Sequence, residues 1–167
     1  MICTTKANEL LESLFSKTIY SVVSNSLKTT EKYFYIGLHT SANGKIPQPD
    51  GSDFDEPSLP EGATDEDGKA ITENEYKRVR VYTEEEGKKM GDAAGGVIKN
   101  EAAFMWPEAE HYGWGEITHI GIFENANGGT PILIGELNAS VTIPQGYIAV
   151  IRKNKFKVGL DHDPTNA

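Results

Sequence analysis

The sequence predicts a mainly β protein, an antiparallel β-sandwich with an N-terminal amphipathic α-helix and a long acidic loop. Three observations favour this fold class. Helical periodicity is confined to the first 30 residues, short apolar or alternating runs follow, and residues 46–75 show neither pattern. Many short strands separated by closely spaced turns are typical of sandwiches and barrels. The 167 residues suffice for one domain with a substantial core.

The first predicted element is a helix near the N-terminus. Apolar residues recur there at three- and four-residue steps, and Leu11, Leu14 and Phe15 lie on that stripe. A helix with a single apolar face must bury it against another surface. We therefore expect these three residues to pack on the chain's own β domain or to make an assembly contact with a neighbouring subunit.

The predicted strands all follow residue 30. They are Tyr33–His39, Tyr76–Tyr82, Ala102–Trp106, Ile117–Phe123, Pro131–Leu137, Ala139–Ile143, Tyr147–Arg152 and Phe156–Leu160. Turn sequences rich in Gly, Asn or Pro separate several of them, and Pro107 is expected to end the strand before it. The predicted organisation is a helix and linker at 1–29, a β-sandwich at 30–161 carrying an acidic insert at 46–75, and a C-terminal tail at 162–167.

The acidic insert, residues 46–75, accounts for the whole net charge of −9. It contains ten acidic residues, four prolines and a single base, Lys69, whereas acids and bases balance outside it. A loop of this length is usually functional or disordered, so we expect a solvated, mobile segment. Calcium binding stays open as an alternative. An EF-hand is excluded, because Ala63 and Asn74 stand where that loop needs carboxylates.

Composition also excludes several classes of protein. An acidic chain is a poor partner for nucleic acid, although this argument applies mainly to the insert that carries the charge. No apolar run is long enough to span a bilayer, and the N-terminus lacks the features of a secretory signal, so we expect neither membrane insertion nor export. The lone Cys3 permits no internal disulfide and no cysteine-based zinc cluster.

Catalytic motifs are absent from the sequence. It contains no nucleophile elbow, P-loop, zinc-protease motif or dinucleotide-binding glycine motif. We therefore expect no enzyme activity, no catalytic or metal-ligating residue and no cofactor. A glycoside hydrolase built on Glu108, Glu110 or Glu116 is the weakest alternative.

An aromatic cluster near residue 110 suggests two interpretations. Tyr112 and Trp114 stand in a turn with flanking glycines. They either close the end of the sandwich or offer a stacking surface to a glycan, and we retain them as candidate glycan contacts.

Several motifs in the chain occur together in a known family. The stretch Trp114–Phe123 has the form Trp-Gly-x-x-Thr-His-x-x-Ile-Phe. Further motifs are Tyr35–Thr40, Tyr76-x-Arg78-Val79, Gly128-Gly129 and Ile134–Leu137. Together they resemble a bacteriophage family usually described as tail-fibre proteins. The chain departs from that pattern at Trp106, where the family usually has Phe, and in its much longer acidic insert.

The resemblance implies a non-enzymatic structural component of a virion, tail-fibre or tail-tip associated, with a role in host attachment. A capsid-decoration or collar subunit and a carbohydrate-binding module are the alternatives. The implied partners are other virion proteins, further copies of the chain and a host surface glycan. The implied location is the virion, assembled in the cytoplasm of a bacterial host.

Overall fold

A computed structural model describes residues 33–82 and 90–159. The strands, in chain order, are β1 Tyr33–Thr40, β2 Val79–Tyr82, β3 Val97–Lys99, β4 Phe104–Glu108, β5 Gly115–Phe123, β6 Leu133–Ile143, β7 Ile148–Ile151 and β8 Lys157–Gly159. A single 3₁₀ turn, Ser41–Asn43, is the helical element of the described chain. The prediction of a mainly β protein with antiparallel sheets is confirmed. The sandwich arrangement and the domain boundaries stay predictions.

The predicted N-terminal helix, with Leu11, Leu14 and Phe15, lies outside the described residues. Among those that are described, no helix has the length and hydropathy needed to cross a membrane.

The described strands fall into two compact units. The larger comprises Phe34–Arg80 and Met105–Val150, and the smaller includes Val81–Phe104 and Ile151–Ala167 as far as these are described. The larger unit holds most of a four-stranded sheet with the order β2-β1-β5-β6. β1 and β5 pair antiparallel, with Tyr35 opposite Phe123 and His39 opposite His119. Alternate β1 residues Phe34, Ile36 and Leu38 are buried, as the period of two requires.

The pairing of β5 with β6 is interrupted once. Ile117 lies opposite Val141 and His119 opposite Glu136, so residues 137–140 bulge opposite a single residue, Thr118. The sequence predicted two strands here, ending at Leu137 and beginning at Ala139. The structure has one irregular strand instead, since hydrogen bonding resumes on the same neighbour after the bulge.

β4 and β7 form a two-stranded sheet. Pro107 lies inside β4 and does not end it, which corrects the prediction. Each strand of a two-stranded sheet has an open edge, where the missing N–H of proline interrupts no ladder. Trp106 and Ala149 are buried, whereas Met105, Ile148 and Val150 are exposed.

The smaller unit pairs β3 with β8, placing Ile98 opposite Val158. Its core contains Ile98, Phe104 and Phe156, and the two phenylalanine rings meet edge to face with centroids 5.3 Å apart. The sequence reasoning missed β3, because three residues are too short a run to show periodicity.

Candidate interaction site formed by the acidic insert

The acidic insert is held against the larger unit by the carboxylate of Glu56. This carboxylate accepts hydrogen bonds from the hydroxyl of Tyr76 at 2.8 Å and from Nε and Nη2 of Arg78 at 2.9 and 2.7 Å. The Arg78 side chain is only 3% exposed and that of Glu56 is 22% exposed. A bidentate pair of this kind fixes geometry as well as charge. The insert is therefore anchored at Glu56 to a residue 22 positions later in the sequence, directly before β2.

Arg78 also reaches the turn between β5 and β6. Its Nη1 donates to the carbonyls of Asn125 and Gly128 at 2.7 and 2.8 Å. The guanidinium carbon lies 3.4 Å from the ring centroid of Phe123, a cation–π contact. One buried side chain thus ties together the insert, the start of β2 and the β5–β6 turn.

Gly37 leaves the space that this anchor occupies. A Cβ atom at position 37 would lie 2.6 Å from Oε1 of Glu56 and 2.7 Å from a ring carbon of Phe123. Real Cβ atoms do not approach other atoms this closely, so any larger residue would displace the carboxylate or the ring. The absence of a side chain is required here for close approach of the insert.

Gly37→Ala is therefore expected to destabilise the protein by about 1–3 kcal/mol, the usual cost of overpacking. Urea denaturation monitored by tryptophan fluorescence measures the change. The matched control is Gly135→Ala, because a Cβ at position 135 meets nothing within 4 Å. Equal stability of the two variants would contradict the packing argument.

A second anchor of the insert is the buried imidazole of His39. Its Nδ1 accepts the backbone N–H of Asp55 at 2.9 Å, and its Nε2 lies 3.1 Å from the carbonyl of Lys45. These partners fix the neutral tautomer with the proton on Nε2. The ring also contacts Phe54 and His119, with centroid separations of 5.3 and 5.6 Å. Burial lowers the pKa of His39, since its charged form would be poorly solvated.

The lowered pKa of His39 predicts a stability that declines in acid. The unfolded chain binds a proton at His39 near pH 6.5, while the folded chain resists it, so the unfolding free energy falls as the pH drops from 6.5 toward the folded pKa. Denaturation midpoints at pH 7.5 and pH 5 measure this loss. His39→Asn keeps an acceptor near the Asp55 N–H and does not titrate. The unfolding free energy of this variant should therefore change less between the two pH values. A profile as steep as that of the unmodified protein would exclude His39 as the cause.

The far end of the insert is held by Glu75. Its carboxylate accepts the backbone N–H of His111 at 3.0 and 3.2 Å and contacts Nδ1 of the same imidazole. The backbone N–H of Glu75 donates to the hydroxyl of Tyr112 at 2.9 Å, and that hydroxyl donates to Oδ1 of Asn74 at 2.7 Å. The hydrogen bond with Glu75 raises the pKa of His111. The insert is thus fastened at both ends, which the sequence did not indicate.

Between these anchors the insert forms a tight hairpin beside a cleft. Oδ1 of Asp65 accepts the backbone N–H groups of Asp67 and Lys69 at 3.0 and 2.8 Å. The cleft has a volume of about 300 Å³. Its lining residues are Thr64, Asp65, Glu66, Asp67, Glu110, His111 and Gln145. The exposed tip of the insert therefore presents concentrated negative charge from a fixed position.

Comparison with known proteins identifies the family of this chain. A family model described as podophage GP4 fiber I protein gp80 matches residues 57–159. The match covers more than half of the 167 residues. The chain belongs to this phage fibre family. Membership confirms the tail-fibre resemblance at the level of the family and makes the chain a structural component of a virion. No curated protein matches the sequence.

The candidate glycan contacts of this fibre-family chain lie inside the larger unit. Trp114 is 3% exposed and Tyr112 is 8% exposed. The ring of Trp114 meets Tyr76 edge to face at 5.3 Å, and the Tyr112 hydroxyl is already hydrogen bonded. Their geometry is that of core residues, so glycan contact by these two residues stays a prediction that burial does not support.

The three glutamates considered for glycoside hydrolysis have different surroundings. Glu110 lies in the cleft, and Glu108 is exposed. Glu116 accepts hydrogen bonds from the hydroxyls of Ser140 and Ser41, which lowers its pKa and keeps it ionised. A general acid in glycoside hydrolysis needs the opposite shift.

Sequence reasoning did not select the residues that hold the site, namely Glu56, Arg78, His39 and the Glu75–His111 pair. The one signal in the sequence was the Tyr76-x-Arg78-Val79 motif, which belongs to the family resemblance and contains Arg78. Glu56 stood among ten acids with nothing to distinguish it.

Proposed function

We propose that the chain is a non-enzymatic subunit of a phage fibre, tail-fibre or tail-tip associated, that self-associates and contributes to host attachment. The observation that carries this proposal is the match of residues 57–159 to the fibre family. The fold supports it, because β sheets provide a rigid scaffold and the insert is a long loop fixed on that scaffold. Recognition commonly resides on loops held in this way.

Exposed apolar residues support self-association. On the β4–β7 sheet, Met105 is 58% exposed, Ile148 46% and Val150 47%. Strand β6 also carries exposed apolar side chains, since Leu133 is 43% exposed and Val141 is 51% exposed. Exposed apolar residues that lie together on one sheet commonly mark an interface, and repeated subunits usually close into symmetric oligomers. We assign the outer face of the β4–β7 sheet to contact between copies of the chain.

Light scattering of the purified chain at micromolar concentration tests self-association. We expect a mass that is a multiple of 18.3 kDa, and a shift to the monomer in Val150→Glu. Asn127→Glu introduces the same charge at an exposed turn and should leave the oligomer intact. A monomeric unmodified protein, or equal masses for the two variants, would contradict the assigned face.

Docking on other virion proteins is assigned to the N-terminal segment through Leu11, Leu14 and Phe15. Phage particles carrying Leu14→Glu should incorporate less of the protein, whereas Lys17→Glu, off the apolar stripe, should be incorporated normally. Circular dichroism of each purified variant separates a docking defect from a folding defect. Normal incorporation of a folded chain lacking residues 1–27 would refute this role.

Host attachment is assigned to the exposed surface of the insert. Reversing two exposed charges outside the cleft, by Glu61→Lys together with Glu73→Lys, should reduce adsorption of phage to host cells without changing incorporation. Glu124→Lys, exposed on the β5–β6 turn, is the control. A glycan array probed with the purified protein tests whether the receptor is a sugar. Unchanged adsorption of the double variant would remove the insert from the attachment surface.

A further inference from the structure

We propose that the cleft beside the insert tip binds a divalent metal ion of the Zn²⁺ or Mn²⁺ class through Glu75, Glu110 and His111. The site is separate from the fibre role and does not depend on it. Glu75 belongs to the insert, whereas Glu110 and His111 follow β4. A bound ion would therefore bridge two segments that lie 35 or more residues apart in the sequence.

The distances between the donor atoms suit one shared ion. A carboxylate oxygen of each glutamate and a ring nitrogen of His111 all lie within 4.8 Å of one another. Ligand bonds to Zn²⁺ are about 2.0–2.2 Å long, so the ligand atoms around a tetrahedral ion are about 3.3–3.6 Å apart. Donor atoms at the 4.8 Å limit must therefore approach one another by about 1.2–1.5 Å to share an ion. Glu110 is exposed and its carboxylate has no hydrogen-bond partner among the described residues, so it is free to make that movement.

The donor types select the class of ion. An imidazole together with two carboxylates is a mixed nitrogen and oxygen set, which suits Zn²⁺ or Mn²⁺ better than Ca²⁺ or Mg²⁺, whose ligands are almost all oxygens. The imidazole distinguishes this set from an ordinary patch of acidic side chains. The backbone N–H of His111 donates to Glu75, which keeps the two side chains adjacent. An ion that binds both must displace the hydrogen that joins Nδ1 of His111 to the Glu75 carboxylate.

The charge around the cleft favours a cation. Asp65, Glu66 and Asp67 line it together with Glu110 and His111, and Glu75 contacts His111 without lining the cleft itself. Within residues 33–82 and 90–159, no lysine or arginine side chain forms an ion pair with any of these five carboxylates. Elsewhere in the insert, Asp53 and Asp55 pair with Lys45, Glu56 pairs with Arg78, and Glu75 pairs with the imidazole of His111. The insert carboxylates that line the cleft, those of Asp65, Glu66 and Asp67, thus form no ion pair within the described residues.

The shape of the cleft adds an independent argument. It is a half-open cleft of about 300 Å³ that is lined by side chains of both the insert tip and the Glu110–His111 turn. Oδ1 of Asp65 is engaged by backbone N–H groups, and its second oxygen takes no part in those bonds. Asp65 and Gln145 can hold water molecules that complete the coordination of the ion.

Titration calorimetry of the EDTA-stripped full chain with ZnCl₂ and MnCl₂ tests the proposal. We expect saturable binding of one ion per chain and a rise in the melting temperature with metal concentration. Glu110→Gln should weaken binding more than tenfold, because it removes a charged ligand that makes no structural contact. Glu108→Gln, two residues away and outside the cleft, is the matched control and should bind like the unmodified chain.

Further arms of the experiment locate the ion. The visible absorption spectrum of the Co²⁺-loaded chain should show the bands of a cobalt ion held by imidazole and carboxylate ligands. These bands should disappear in Glu110→Gln. Asp161, His162 and Asp163 are three adjacent potential ligands near the C-terminus. Binding that is lost in His162→Ala and kept in Glu110→Gln would place the ion there and overturn the proposal. Absence of saturable binding, or equal binding by Glu108→Gln and Glu110→Gln, would overturn it as well.

Discussion

Arg78→Ala is expected to lower the free energy of unfolding by about 3–5 kcal/mol, the usual result of breaking a buried ion pair by removing one partner. The variant leaves Glu56 without its bidentate partner and frees the carbonyls of Asn125 and Gly128. It also opens the space above the Phe123 ring. Because the Arg78 side chain holds three segments, the variant loses the stabilising free energy of all three contacts at once.

Urea denaturation measures this effect, and a double-mutant cycle with Glu56→Gln isolates the pair itself. Arg78→Lys keeps the charge and loses the planar fork, so it should recover only part of the stability. Arg152→Ala, at an exposed arginine, is the control and should change stability by less than about 0.5 kcal/mol. A loss below about 1 kcal/mol in Arg78→Ala would show that the anchor is dispensable.

Asn100→Ala is the second large effect expected, at about 3–5 kcal/mol. The Asn100 side chain is fully buried, its Oδ1 accepts the backbone N–H of Phe156 at 3.0 Å, and its Nδ2 donates to the carbonyls of Ala102 and Arg152 at 2.8 and 3.0 Å. A stranded buried N–H costs about 1–3 kcal/mol, and the two lost donor bonds contribute about 1 kcal/mol each. The turn before β8 would lose two side-chain hydrogen bonds to Asn100 and keep the two backbone ones.

The same denaturation assay, compared with Asn127→Ala on an exposed turn, measures the Asn100 effect. Asn100→Asp separates its components, because aspartate keeps the acceptor for the Phe156 N–H and loses both donors. We expect the aspartate variant to be strongly destabilised too, since it also buries a charge facing two carbonyl groups. An Asn100→Ala variant as stable as Asn127→Ala would contradict the structural role of this network.

Both predictions concern residues that turn loops into fixed surfaces. Arg78 fixes the insert and the β5–β6 turn, and Asn100 fixes the turn after β7. A fibre subunit needs loops of this kind, because a surface that is already ordered loses less conformational entropy on binding. The proposed metal ion would likewise fix the insert tip.

Much of the fold was predictable from local patterns. The strands β1, β5, β7 and β8 were predicted within two residues of their observed ends, because alternation and turn residues act over short distances. The break inside β6 was also anticipated, near Asn138, although the structure continues the strand past a bulge. Pro107 was misplaced because its effect depends on whether the strand has a neighbour on the side of the missing N–H.

The candidate site was not predictable in the same way. The contacts that form it join Glu56 to Arg78 and Glu75 to His111, which lie 22 and 36 residues apart. All ten acids of the insert look alike in the sequence, and nothing local shows which of them meets a cation. Trp114 is a second case. Its place in a glycine-flanked turn left open whether the side chain is exposed or buried, and packing placed it in the core.

The sequence by itself determined that the protein is mainly β, that its net charge lies in one insert, and that its motifs resemble those of phage fibre proteins. Only the tertiary structure decided that the insert is anchored by Glu56, His39 and Glu75, and that Asp65, Glu66 and Asp67 line a cleft. The physical reason is one of range. Backbone alternation and charge content are properties of neighbouring residues, whereas burial and ion pairing depend on which distant segments the sheet brings together.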